Sequence, residues 1–177
     1  GQIAAFTTDQ IPALSSKFIG AMETQDIAMM TELQIGVLDS KQISALGSAQ
    51  VAGLSTAQVA AIGTDAIDGL SAAGIAGLGT DDIVALSTGQ AAVLGSKQVA
   101  VLSSDQIAAL ETADIAAISA TAFRGLTSSQ APSLTTAQVV ALSTDQVAAL
   151  SSKAIAAMET ADVAAFSTGQ IAVLRSE

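Results

Sequence analysis

Large apolar side chains recur along this chain every eight residues without a slip. Stepping by eight from Phe6 through Leu14, Met22 and Met30 to Leu174, all 22 positions hold Leu, Ile, Met or Phe. Stepping from Ile3, 19 of 22 are Ile or Val, the exceptions being Ala91, Phe123 and Ala131. A third column, from Thr8, holds Ser or Thr at 19 of 22 positions and is broken by Glu32, Ala72 and Ala120. The unit reads x-[ST]-x-Q-[IV]-A-A-L, nearly pure in Ser143-Thr144-Asp145-Gln146-Val147-Ala148-Ala149-Leu150.

The Ile/Val and Leu columns stand three residues apart, which is one face of a helix but opposite faces of a strand. Gln, Ala and Leu also favour helix over strand. The pattern predicts an all-α solenoid, a superhelix of very short helices with one per octad and about 22 octads. A β-solenoid is the weaker alternative. One continuous helix fails on arithmetic. Eight residues at ~100° leave the apolar pair rotated by ~80° from unit to unit, so the stripe would wind around the rod. The helix must break once per octad.

The break is expected at the Ser/Thr column that starts at Thr8, as helix N-caps. Asp26, Asp82, Asp114 and Asp162, two residues further on, favour the positive helix start. Gly47, Gly63, Gly79 and Gly95 precede that column and suit left-handed helix ends. Where the column lacks a hydroxyl, the preceding Thr31, Ser71 and Ser119 are expected to cap instead. Each unit is then a helix of ~5–6 residues with a corner of one or two. Helices so short do not hold alone and must stack along a shared core. The recurrence of those glycines in every second octad hints at paired octads, while three or four octads per turn would also close. Pro12, Pro132 and the stretch 122–134 are the least regular parts. They read as local irregularity, with Phe123 offsetting the volume lost at Ala131.

Composition removes most chemistry. There is no Cys and no His, so thiolate and histidine zinc sites, Cys-His pairs and the Ser-His-Asp triad are all excluded. Sixteen acidic and six basic residues give a net charge of -10. Lys17, Lys41, Lys97, Lys153, Arg124 and Arg175 are scattered, so a nucleic-acid partner is not expected. No apolar run approaches the ~18–20 residues of a membrane helix. Carboxylates that lie close in sequence, Asp81-Asp82 and Glu23 with Asp26, read as solvated helix starts rather than as an acid/base pair. No catalytic, cofactor-binding or metal-binding residue is expected, and the chain is read as no enzyme. Gly1-Gln2-Ile3 already lies in the repeat, without a leader pattern, so the chain is expected to be part of a longer array.

Leu134-Thr135-Thr136-Ala137-Gln138-Val139-Val140-Ala141-Leu142 looks like the opening helix of the TAL-effector repeat, but that family's longer period and basic inner surface are missing. Over all 177 residues the chain is similar to the Ser/Thr-x-x-Gln-Val-Ala-Ala-Leu arrays of very large secreted or surface-attached bacterial proteins of the adhesin type. That resemblance implies an extracellular or cell-surface spacer whose recognition domains lie elsewhere. Two other readings compete with a spacer. A protein- or glycan-binding module would use the variable third positions of the unit, such as Lys17, Gln25, Leu33 and Lys41. A self-assembling array would stack its terminal octads end to end, as a heterologous contact.

Overall fold

The computed structural model describes residues 5–174, so Ile3 and Arg175 lie outside the described residues. Among these residues are nineteen α-helices of four to six residues, from Ser16–Gly20 to Thr168–Val173, and no strand. One helix serves each octad. At Pro12 and Pro132 the helix tightens to the 3-10 turns Ile11–Ala13 and Ala131–Ser133. Proline has no N–H to give an i→i−4 bond, and the turn is held by the i→i−3 bonds Ala13 N–H to Gln10 O (3.1 Å) and Ser133 N–H to Gln130 O (2.9 Å), while Leu14 N–H to Ile11 O and Leu134 N–H to Ala131 O close these octads as in the others. The chain forms two compact units, Gly1–Gln90 and Ala91–Glu177.

Within each unit a helix packs on the helix three octads further along. In the first unit Ser16–Gly20 lies on Ser40–Ser44, Thr24–Ala28 on Ser48–Ala52, and Ser48–Ala52 on Ala72–Gly77. In the second, Ser96–Val99 lies on Ala120–Phe123, and Thr144–Ala149 on Thr168–Val173. Each unit is therefore α-solenoid, and its helices stack at every third octad rather than at every second, as the glycines suggested. The Ile/Val column forms the core: Ile35, Val59, Val139 and Val147 are fully buried. The Leu column lines it, its buried leucines running from 1 % exposure at Leu46 to 7 % at Leu150, with Leu14 and Leu174 near the ends of the array half-buried. Each such side chain contributes about 1.5–3 kcal/mol by leaving water. Phe123 and Ala131 are both buried, so the irregular stretch 122–134 keeps the core register.

The caps correct one expectation. The Ser/Thr column beginning at Thr8 is the first helical residue, and the N-cap is the residue before it. Ser55 Oγ accepts from Gln58 N–H (3.2 Å), and Ser103 and Ser143 do the same for Gln106 and Gln146 at 3.1 Å. Thr31, Ser71 and Ser119 cap as expected, but as the rule and not as substitutes. Gly47, Gly63, Gly79 and Gly95 are themselves N-caps in extended conformation with φ between -60° and -90°. No described glycine has a positive φ, so these are not left-handed helix ends. Corners between the α-helices of adjacent octads run from two residues, such as Leu150-Ser151, to four, 68–71, and seven residues, 124–130, precede the turn Ala131–Ser133.

Candidate functional site: the glutamine column and the grooves between turns

The residue before each Ile/Val, which we call column two, carries the chemistry of the fold. Most of these side chains are polar and yet buried. They include Gln34, Gln42, Gln50, Gln58, Asp82 and Gln90 in the first unit, and Gln130, Gln138, Gln146, Asp162 and Gln170 in the second. A buried amide is costly unless its donors and acceptor find partners. The glutamines find them. Gln146 Oε1 accepts from the Ser143 cap N–H (2.8 Å), while Nε2 donates to Ile115 O and Ile118 O, both at 2.7 Å. Gln42 repeats this on Asp39 N–H (3.0 Å), Ile11 O (3.0 Å) and Leu14 O (2.7 Å). Gln138, Gln170 and Gln90 follow suit on Ile107 and Leu110, Val139 and Leu142, and Val59 and Ile62.

Two ends of two helices are thus served by one side chain. The oxygen completes a capping box at the start of its own helix. The NH₂ group donates to carbonyls at the end of the helix four octads earlier, where the helix leaves acceptor capacity unused. Helices stack on the third octad along, while the carboxamide reaches back to the fourth, so one superhelical turn takes between three and four octads. The S-x-x-Q spacing was the signal in the sequence for this box, and it points to the column before the one first assigned.

Where glutamine is missing, two other joints replace it. Asp162 is too short to reach back. Its carboxylate instead accepts from the Thr136 hydroxyl one turn earlier (2.7 Å). Ala66, Gly74 and Ala122 begin a small-residue joint completed by Gly69, Gly77 and Gly125. A Cβ at any of these three glycines would overlap the backbone carbonyl of Ser40, Ser48 or Ser96 in the preceding turn. The first-turn threonines also work across the joint: the methyl group of Thr64 lies against Gly89 and that of Thr144 against Gly169.

The sequence candidates are distributed as follows. Lys17, Gln25, Leu33 and Lys41 are all exposed, and of the four only Lys17 and Lys41 sit on helices that pack on one another. Asp81 is exposed while Asp82 is buried and accepts from Gly79 N–H (2.9 Å), so this pair is divided between solvent and joint. Glu23 caps its helix without a side-chain bond. Among the described residues no group of three or more acidic, His or Cys side chains could hold a metal ion, and no helix is long and apolar enough to cross a membrane. Two open grooves lie between turns of the first unit. One of 640 Å³ is bordered by Met30–Leu33 and Gly53–Ser55, and one of 290 Å³ by Gly36–Ser40 and Gly63–Ala66.

No curated protein and no solved structure matches the chain. The ALTTAQ repeat family model matches residues 19–56, 75–112, 107–144 and 132–152. The letters of its name stand almost literally at Leu134-Thr135-Thr136-Ala137-Gln138, where Thr135 is the cap and Gln138 the residue that bridges two turns. These matches cover more than half of the 177 residues, and the chain belongs to the ALTTAQ repeat family.

Proposed function

We propose that this array is a non-catalytic structural segment, a spacer or stalk in a secreted or surface-attached bacterial repeat protein of the adhesin type. One observation carries the reading: the side chains that could do chemistry are spent on the array's own backbone. The buried carboxamides of the glutamine column use their NH₂ and C=O on helix ends. The cap hydroxyls are likewise committed to N–H groups. What faces solvent among the described residues is mostly Ala, Ser, Thr and acid, a surface that repels copies of itself. Recognition by the parent protein would then reside in other domains, and its setting would be extracellular.

Scattering from arrays of different octad number tests the proposal. A spacer has a maximum dimension that grows in proportion to octad number, at constant cross-section and at every protein concentration. A maximum dimension that stays constant as octads are added would overturn it. Growth with protein concentration alone would instead favour the self-assembling reading.

A further inference from the structure

A single octad departs from the pattern in two outward-facing columns at once. Glu32 stands where 19 of 22 octads have Ser or Thr. Leu33 is the one large apolar residue in a column otherwise made of Lys, Asp, Gln, Ala, Gly, Ser, Thr and Glu. Leu33 is 74 % exposed, above every other exposed large apolar side chain among the described residues, and Met29 nearby in sequence is 52 % exposed. An exposed leucine at the second position of a short helix does nothing for the core. It borders the larger groove, whose floor is Met30 and Leu54 and whose wall is lowered at Gly53. The Thr24 methyl group lies against that glycine, so the helix start that follows Glu23 approaches this side of the groove.

Charge selects the occupant. From residue 18 to residue 40 the chain carries Glu23, Asp26, Glu32 and Asp39 and no basic residue. A second copy of the array would bring its own net charge of -10 to this surface, and an anionic lipid surface would be repelled in the same way. A segment with cations on either side of one bulky apolar side chain fits both features: the apolar group packs on the exposed Leu33, and a cation pairs with the Glu32 carboxylate in the groove lining. We propose that the groove beside Leu33 docks a short basic segment of a partner protein, anchored by a single aliphatic or aromatic side chain. This goes beyond the spacer reading and does not depend on it.

Fluorescence anisotropy with two labelled peptides provides the test. One has a Leu-Phe pair between two lysines on each side, and the other has Ser-Ser in place of Leu-Phe. The first should bind about tenfold more tightly than the second, and Leu33→Ser should remove most of that difference. Glu32→Thr, which restores the common residue, should weaken binding severalfold and flatten its salt dependence. Val140→Ser, at a site 61 % exposed in the other unit, should leave binding unchanged. Leu33, Glu32 and Val140 are all surface residues, and an unchanged circular dichroism spectrum verifies that each variant is folded. Equal binding of the two peptides, no effect of Leu33→Ser, or an equal effect of Val140→Ser would overturn the proposal.

Discussion

The octad of Gln146 and the octad of Gly74-Ile75-Ala76-Gly77 share one apolar pattern and join the preceding turn in opposite ways. Val147 and Ile75 are both buried, as are Leu150 and Leu78. Around Gln146 the joint is polar: a carboxamide 1 % exposed bridges a cap N–H and two carbonyls four octads back. Around Gly74 the joint is steric: with no side chain at Gly77 the backbone closes directly on Ser48, while Gly74 leaves room for Leu70 and Val51. The apolar columns specify that octads stack. Column two decides how two turns meet. A low-complexity repeat therefore still encodes local differences, through a column that is polar and buried rather than through its core.

Breaking the polar joint should have the largest effect. Gln146→Leu keeps the side-chain size but leaves the Ser143 N–H and the Ile115 and Ile118 carbonyls without this partner. Each unsatisfied buried group costs about 1–3 kcal/mol, and some water will enter, so a net loss of about 3 kcal/mol is expected in urea unfolding. A loss below about 1 kcal/mol would mean that the bridge contributes no more than an ordinary surface bond.

Breaking the steric joint comes next. Gly77→Ala places a methyl group on the Ser48 carbonyl, and neither backbone can move without disturbing the core, so about 2 kcal/mol should be lost. Gly79→Ala, two residues on, meets only the Asp82 carboxylate at 3.5 Å, so its cost should be only the ~0.5–1 kcal/mol of a poorer N-cap residue. If both alanines cost the same, close approach is not what Gly77 provides. The aspartate joint is expected to be weaker still. Thr136→Val removes the hydroxyl that donates to Asp162, at a cost of about 1.5 kcal/mol, whereas Thr136→Ser should retain most of the stability. A larger loss for Ser than for Val would assign the effect to the methyl group instead.

The repeat, the helical state and the two core columns were legible because they depend only on neighbours within one octad. Ile35, Ile43 and Leu46 are buried where the period places them. The number of octads per turn was not legible, because its determinants lie a whole superhelical turn apart along the chain. No strict period of that length exists in the sequence. The glycines that suggested paired octads, Gly47, Gly63, Gly79 and Gly95, turn out to be caps that say nothing about stacking. Gly69, Gly77 and Gly125 do report on it, each meeting a serine of the preceding turn (Ser40, Ser48 and Ser96), yet this can be seen only once the turns are in place. The glutamine was legible as a helix former but not as a bridge, since its second set of partners belongs to another turn.

The cap column failed by one position for a different reason: two neighbouring columns are both rich in Ser and Thr, so residue type alone cannot separate them. Ser103 and Ser104 make the separation within one octad. Ser103 precedes the helix in extended conformation and its hydroxyl accepts from Gln106 N–H (3.1 Å), whereas Ser104 is the first helical residue and is exposed. Ser103→Ala should cost about 1 kcal/mol, because an N–H of the first turn loses its acceptor. Ser104→Ala should remain within about 0.5 kcal/mol, because alanine suits a helix interior and the exposed hydroxyl is not the cap. The reverse order in urea midpoints would restore the column that starts at Thr8 as the caps. It would also move Gln106 out of the third helical position, and with it the capping box on which every glutamine bridge in the array depends.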